Sequence, residues 1–380
     1  MYKYKDITQV HIEPTEKCNA ACPICPRNIR GGKENPYLIN AELSTEDCKK
    51  MFTTAFIKQL ETTYMCGNFG DPIMAKDTLE IFEYFREQNT NIWLGMNTNA
   101  GARPIKWWAK LAKTLGRRGR VIFSIDGLED TNHIYRQNVK WNILERNIKA
   151  YIGAGGRARW DFIVFKHNEH QVEEAQELAR KLGFEDFQYK KTGRFWGNYQ
   201  VLDKAGKLAY VLEPPTNKKY QNTIAKRTNQ YIEEHGISFY DTTEIDAKCI
   251  SRKEIYVSAR GFVFPCCWMG GTLYNRWKKS DDPSYSKTPV VRDFAEIVET
   301  QSMEYMNKVG GPDAVNALKP WNTIESILDK TNFFNDIENS WTLPSIEQGK
   351  LSVCTRMCAK GLDKFAAQWD NLDKESRNLL

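Results

Sequence analysis

Along the first half of the chain the apolar positions switch between two periods. Short runs rich in β-branched and aromatic residues predict strands: "ITQVHIE" (7–13), "TTYMCG" (62–67), "NIWLGMNTN" (91–99), "RVIFSIDG" (120–127), "ARWDFIVFK" (158–166) and "DFQYKK" (186–191). Between them lie stretches with helical spacing: 44–60, 77–88, 104–116, 140–156 and 170–184. The first opens with Ser44 and carries an acid three residues on at Asp47, a capping-box start, and the third has Pro104 before it and Gly116 after it. Strands and helices in strict alternation predict an α/β fold with a parallel sheet, open or barrel-like. In such folds functional side chains collect at the C-terminal ends of the strands.

The pattern breaks at residues 191–245, which are polar and Lys-rich and hold a Pro-Pro pair at 214–215; they predict a linker or irregular excursion. "EIYVSARGFVFPCCW" (254–268) predicts a hairpin turning at Arg260-Gly261. From about residue 293 the pattern is helical, interrupted by "GGPD" and "TLPS". This divides the chain into 1–190, 191–245 and 246–380.

Ten cysteines in 380 residues change the picture, because they are grouped. Cys18, Cys22 and Cys25 form C-x3-C-x2-C directly after the first predicted strand, and Cys249, Cys266, Cys267, Cys354 and Cys358 lie in the last third. No apolar run approaches the length of a membrane span, and the first ten residues do not resemble a signal peptide. A cytoplasmic chain is therefore expected, with cysteines serving metal or redox chemistry rather than disulfides. The net charge of +6 is mild and spread along the chain, so it gives no nucleic-acid footprint.

Three cysteines leave one iron of a four-iron cluster without a protein ligand. C-x3-C-x2-C after a first barrel strand resembles the radical S-adenosylmethionine (SAM) superfamily. That resemblance implies a partial (β/α)6 TIM-like barrel. It also implies a [4Fe–4S] cluster whose open iron is chelated by the amino and carboxylate groups of SAM. Reduction then cleaves SAM to methionine and a 5′-deoxyadenosyl radical. Further segments follow in family order at successive strand ends. "CGNFGDP" (66–72) stands where the family has Gly-Gly-Glu-Pro, giving Gly70, Asp71 and Pro72, with an acid one carbon shorter. "NTNAG" (97–101) resembles the Thr-Asn-Gly turn and offers Asn97. "FSIDGLEDTNHIYR" (123–136) resembles Ser-x-Asp-Gly and offers Ser124 and Asp126, with Arg136 as a carboxylate fork and His133 as a solvated residue. Asn168 in "VFKHNEHQ" (164–171) resembles the Lys-x-Asn helix entry and is expected to cap that helix or reach SAM. Ile24 takes the place of an aromatic residue that often packs on adenine.

Cys249-x11-Gly261-x4-Cys266 resembles the opening of the SPASM/twitch extension. "CTRMC" supplies Cys354 and Cys358 one helical turn apart. Cys249, Cys266, Cys354 and Cys358 are expected to hold one auxiliary [4Fe–4S] cluster, the twitch arrangement, with structural zinc as the alternative. Cys266 and Cys267 are read as adjacent on an extended strand, facing opposite ways, so that only Cys266 joins the set. Cys48 is read as packed in a helix. Cys66 is either a buried strand residue or a thiol that returns a hydrogen atom to a substrate radical. The aromatics of "WDF" (160–162) and "RFWGNY" (194–199) are core residues or cleft lining.

The resemblance implies a peptide or small-molecule substrate and an electron donor such as flavodoxin or ferredoxin. Only 17 residues precede Cys18, so no peptide-recognition domain is expected there. Two other classes remain open: a tRNA- or nucleotide-modifying radical enzyme, and a non-catalytic zinc or iron–sulfur protein.

Overall fold

A computed structural model describes residues 1–195, 197–274 and 289–369. All six strands expected in the first half are present: β1 (Gln9–Ile12), β2 (Thr62–Met65), β3 (Trp93–Thr98), β4 (Gly119–Ser124), β5 (Ala158–Ile163) and β6 (Asp186–Lys190). They pair in parallel in chain order. Helices Thr78–Gln88, Ile105–Leu115, Trp141–Gly153 and Val172–Leu182 fill four of the crossovers. The fifth, expected as one helix over 44–60, is two, Thr45–Met51 and Thr54–Gln59. The chain restarts at Thr53, whose side chain accepts from the Phe56 N–H and caps a second helix. The capping box is as expected: the Ser44 side chain takes the Asp47 N–H, and the Asp47 carboxylate takes the Ser44 N–H at 2.9 Å.

Along the sheet the polar and apolar side chains sort by face. Val10 and Ile12, Leu94 and Met96, Val121 and Phe123, and Trp160 and Phe162 are fully buried in the hydrophobic core. The alternate positions on the other face are Gln9, His11, Thr62, Tyr64, Trp93, Gly95, Asn97, Arg120, Ile122, Ser124, Arg159, Asp161, Ile163, Asp186, Gln188 and Lys190. A parallel strand buried on both faces usually reads as continuously apolar. Here most of the inner face, the lumen side of the sheet, is polar, with Trp93, Ile122 and Ile163 as apolar exceptions. Trp160 and Phe162 of "WDF" belong to the core, and Phe195 packs edge-on to Phe165 at 5.8 Å between centroids. Trp196 lies outside the described residues.

The hairpin expected at Arg260-Gly261 forms from β9 (Glu254–Val257) and β10 (Val263–Phe264), antiparallel, with Val263 opposite Val257. It does not stand apart. β9 pairs in parallel with β1, Gln9 opposite Glu254 through Ile12 opposite Val257, so the hairpin extends the barrel sheet to eight strands in the order β10-β9-β1-β2-β3-β4-β5-β6. The sheet is a mostly parallel α/β partial barrel and does not close. Pro265 has no N–H for the ladder, so β10 stops at Phe264.

Residues 191–245 correct the sequence expectation. They fold into an antiparallel pair, β7 (Tyr199–Leu202) and β8 (Leu208–Leu212), followed by a helix, Thr223–His235. The intervening turn hid the alternation: the Asp203 carboxylate accepts the Ala205 and Lys207 N–H groups, and Gly206 has φ +83°. Val201 and Leu212 are buried beneath it. The C-terminal part is helical as expected: Pro289–Lys308, Ile324–Asp329, Phe333–Asn339 and Ser352–Met357.

Gly261 fixes the hairpin turn. Its φ is +81°, and an added Cβ would meet Leu318 Cγ at 2.4 Å and Asn316 Oδ1 at 2.8 Å. Gly261→Ala is expected to cost about 2 kcal/mol or more in stability, through strain and the displaced Leu318. A thermal midpoint unchanged from wild type would show that the turn tolerates a side chain.

Candidate functional site

The loop leaving β1 begins with two buried carboxylates that organise it. Glu13 accepts the Phe69 N–H at 2.7 Å and the Gly70 N–H at 3.1 Å, and takes the Tyr256 hydroxyl on its other oxygen. The ends of β1, β2 and β9 are thereby tied to one side chain. Glu16 accepts from the Ile39 and Ala41 N–H groups and from Arg260 Nε at 2.6 Å. Arg27, also buried, donates to the Glu16 carbonyl. Gly70 is needed because the loops meet here: a Cβ would lie 1.8 Å from the Thr15 carbonyl oxygen. Its close approach is therefore to the cysteine loop's own backbone.

Held this way, Cys18, Cys22 and Cys25 turn tightly, with the Cys25 N–H on the Cys22 carbonyl at 3.1 Å. Each thiol has a polar neighbour. Asn99 Nδ2 lies 3.8 Å from Cys18 Sγ, Arg136 Nη1 lies 3.6 Å from Cys22 Sγ, and Cys25 Sγ lies 3.9 Å from the Asn68 carbonyl. Burial is the main force on all three: it pushes Cys22 up to about 11 against the pull of Arg136, and raises Cys18 and Cys25. A thiolate here needs a cation beside it, which an iron centre supplies, so the donor set fits such a group.

The residues expected around it divide by position. The Asp71 carboxylate accepts the Asn99 N–H at 2.8 Å and the Ile73 N–H at 3.2 Å, so it fixes the turn that carries Asn99. Pro72 opens the short turn after it and is buried. Asp126 is fully buried; it accepts Arg136 Nε at 2.6 Å and the Ile163 N–H at 2.6 Å. Arg136 therefore bridges Asp126 and Cys22. Asn168 corrects an expectation. It makes no side-chain cap; its Nδ2 donates to the carbonyls of Asp126 at 2.8 Å and Ile163 at 3.0 Å, and its Oδ1 takes the Phe165 N–H. The helix is entered through a short turn, so the amide is free to tie β4 to β5 instead. Ile24, Asn97 and Ser124 are half-buried, the last two on the inner strand face, and His133 is exposed as expected.

Asn99 was missed. Asn97 and Asn99 share a strand face two residues apart, but only Asn99, beyond the end of β3, reaches the cysteine loop, also exchanging hydrogen bonds with Asn19. Glu13 and Tyr256 were missed as well. Part of the signal lies in the sequence, since "QVHIE" and "EIYV" both alternate polar and apolar residues, but their pairing appears only in the fold.

The second cysteine group forms at the other end of β1. Cys249 sits in the helix Lys248–Arg252 that precedes β9, and Cys266 follows β10. Since β9 is parallel to β1, both lie toward the N-terminal end of β1. The Asp246 N–H on the Cys358 carbonyl at 2.8 Å brings the last helix alongside, and the Cys358 N–H on the Cys354 carbonyl confirms the one-turn spacing. Burial raises all four thiols, Cys266 to about 12. Mutual repulsion adds to it: Cys354 feels Cys358, Cys266 and Cys249, and Cys249 feels Cys266 and Cys358. Cys267 does not lie on a strand as expected. Cys266 is extended, with φ −158° and ψ 161°, while Cys267 starts a short helix, Cys267–Gly270, because Pro265 has ended the ladder. Besides Cys266, Cys267 feels Glu254, Cys66 and Glu13, the lumen side. Among the described residues, no three His, Cys, Asp or Glu side chains converge on one ion-sized point. A cubane cluster binds its ligands at separate corners.

Cys48 is fully buried in its helix, as expected. Cys66 follows β2 at the top of the lumen, its carbonyl 2.6 Å from His11 Nε2. Burial pushes its thiol up to about 12, opposed chiefly by Lys190. No helix among the described residues is long and apolar enough to cross a membrane.

Residues 12–184 match the family model of the radical SAM superfamily. The chain is similar to the crystal structure of Streptococcus suis SuiB bound to S-adenosylmethionine, at 14% identity and a TM-score of 0.47, covering 77% of this chain and 74% of that one. It is also similar to anSMEcpe with bound AdoMet, at 15% identity and a TM-score of 0.43, covering 68% and 71%. For BtrN in complex with AdoMet and 2-DOIA the values are 12% and 0.42, covering 96% and 98%.

Burial raises the Glu13 carboxyl from 4.5 to about 7. The folded state keeps a proton that the unfolded chain releases, so this contribution is present below pH 4.5 and lost as pH rises through about 7. Glu13→Gln keeps acceptor and shape without the charge. Its thermal midpoint at about pH 8 is expected to exceed wild type by a few degrees, with the gap closing toward about pH 4.5. A gap independent of pH would mean that Glu13 is ionised in the folded state at low pH.

Proposed function

We propose that the chain is a radical SAM enzyme with two four-iron clusters, one binding SAM at the top of the barrel and one auxiliary cluster at the bottom. The observation that carries this reading is the placement of two groups of buried thiols at opposite ends of β1, with a polar lumen between them. Cys18, Cys22 and Cys25 would hold three irons of the first cluster, and with SAM on the fourth the cluster would supply the reductive chemistry that yields a 5′-deoxyadenosyl radical for hydrogen abstraction from a substrate. The protein supplies orientation and exclusion of water.

Arg136 and Asn99 direct positive dipoles at the thiolates of Cys22 and Cys18, which stabilises their anionic form. Asp126 holds Arg136 in place, and Asp71 holds Asn99. Ile24, Asn97, Ser124 and the backbone at Gly70 border the SAM position, while Pro72 and Asn168 fix the turns behind it. Cys66, kept neutral by burial, retains the S–H hydrogen a donor to a substrate radical requires. Cys249, Cys266, Cys354 and Cys358 form a closed set around the auxiliary cluster, which leaves electron transfer, structure or substrate placement as its role. Residues 1–190 form the barrel, residues 191–245 a covering insertion and residues 246–380 the auxiliary-cluster region. The substrate is a peptide or small molecule, and a flavodoxin or ferredoxin serves as electron donor.

Anaerobically reconstituted protein is expected to carry about eight irons per chain. Cys249→Ala should lose about half and still cleave SAM under a strong reductant, whereas Cys22→Ala should lose the cleavage. Stoichiometric zinc with iron near zero would overturn the radical reading. Full iron content in Cys249→Ala, with loss of half in Cys267→Ala, would move the fourth ligand to Cys267.

A further inference from the structure

The helix that carries Cys354 and the turn 340–342 are both fastened to one long helix, Pro289–Lys308. Gln301 Nε2 donates to the carbonyls of Ile346 and Lys350 at 3.1 Å each, and its Oε1 accepts the Ser352 N–H at 2.8 Å. That fixes where the helix Ser352–Met357 begins, and Cys354 with it. One turn further along, the buried Tyr305 hydroxyl donates to the Gly349 carbonyl at 2.9 Å and lies against Ser340. Ser340–Thr342 is a single tight turn, and the Ser340 hydroxyl donates to the Ile337 carbonyl at 2.6 Å. The long helix thus clamps this turn beside the cysteine helix, and Trp341 is its middle residue.

Trp341 Nε1 is buried and finds no nitrogen or oxygen acceptor among the described residues. What it faces is sulfur. Burial raises the Cys354 thiol most, Cys358, Cys266 and Cys249 raise it further, and the Trp341 N–H pulls the other way. A buried donor without an acceptor is costly. A neutral thiol is a weak acceptor, whereas a thiolate held on a cation is a permanently charged one. The orphaned indole N–H therefore fits a Cys354 that binds metal. The other three cysteines take backbone donors: the Ile250 N–H on Cys249, the Met269 and Trp268 N–H groups on Cys266, and the Lys248 N–H on Cys358. At Cys354 the donor is a side chain, which substitution can remove.

We propose that the Trp341 indole N–H donates to the Cys354 thiolate of the auxiliary cluster and tunes that cluster's reduction potential. The potential of an iron–sulfur cluster depends on its net charge and on hydrogen bonds to its sulfurs. Reduction adds negative charge that the ligand sulfurs share, so a donor on one sulfur stabilises the reduced form more than the oxidised form and raises the potential. Trp341 is a positioning residue here, since it touches a ligand and no substrate. The inference rests on the two-cluster reading.

The test uses the anaerobically reconstituted full chain. SAM ligates only a cluster with an open iron, so the paramagnetic resonance signal that SAM leaves unchanged belongs to the auxiliary cluster. Its reduction midpoint is titrated in wild type and in Trp341→Phe, which keeps an aromatic ring and loses the N–H. Trp341→Phe is expected to lower the equilibrium constant for reduction about tenfold, a fall of about 59 mV for one electron. Iron content and the first cluster's midpoint should not change. An unmoved auxiliary midpoint, or an equal fall at both clusters, would overturn the proposal. A second readout needs no substitution. Wild-type protein with a heavy nitrogen isotope in its indole rings is expected to show a coupling to that nitrogen on the signal SAM leaves unchanged. Absence of the coupling would overturn the proposal even where Trp341→Phe loses iron. Metal is counted on the same preparations. About four irons with about one zinc per chain would sink the two-cluster reading itself, whereas about eight irons with an unmoved midpoint would sink the role of Trp341 alone.

Discussion

The architecture turns on one carboxyl group. Glu13 ends β1 on the inner face of the sheet, and its two oxygens collect the Phe69 and Gly70 N–H groups on one side and the Tyr256 hydroxyl on the other. Three strand ends that have no sequence proximity meet there. Everything that follows β1 hangs from this junction: the buried Glu16–Arg260 pair, the Arg27 contact and the three-cysteine turn. Burying a carboxyl in this way is unfavourable for its charged form, and the group answers by holding its proton to about pH 7. Gly70 is the matching constraint on the other chain segment, since only a residue without a side chain can approach Thr15 so closely.

The second constraint is the sorting of side chains by face. Because strand side chains alternate, each inner strand must spend every other residue on the lumen. The outer face buries Val10, Ile12, Leu94, Met96 and Trp160 against helices and supplies the apolar core. The inner face can then be polar without loss of fold, and it is: Gln9, His11, Glu254, Arg159, Asp161 and Lys190 are all turned inward. A barrel built only for stability would fill this space with aliphatic side chains. Charges held there carry the cost of desolvation.

Much of this was legible in the sequence, for identifiable reasons. The six strands and their helices carry strong periodicity, and the Ser44–Asp47 box and the Gly261 turn use chemistry that the backbone demands. The three-cysteine loop was legible because its ligands are close in sequence. What failed was of two kinds. The β7–β8 pair was masked by the turn between its strands, where Asp203, Lys204, Gly206 and Lys207 read as coil. Asn99, Glu13 and Tyr256 were overlooked because their roles arise from strand pairing across long separations. Neither "QVHIE" nor "EIYV" signals alone that β1 and β9 lie side by side. Cys267 shows the limit of local reasoning: adjacency implied opposite strand faces, but Pro265 ended the strand and a helix began.

The parallel pairing of β1 with β9 also sets the distance across the lumen. Cys249 precedes β9 and the three-cysteine loop follows β1, so the two thiol groups are held at opposite ends of the same ladder. Its four paired rungs, three steps of roughly 3.3 Å, separate them by about 10 Å before the loops are counted. An antiparallel β9 would have brought both groups to one end and left the lumen open at the other. Cys66, Glu13 and Lys190 stand toward one end, and Glu254, Tyr64 and Gln9 toward the other. The same pairing that gives the sheet its extra strands thus places the two groups of cysteines at opposite ends of one ladder.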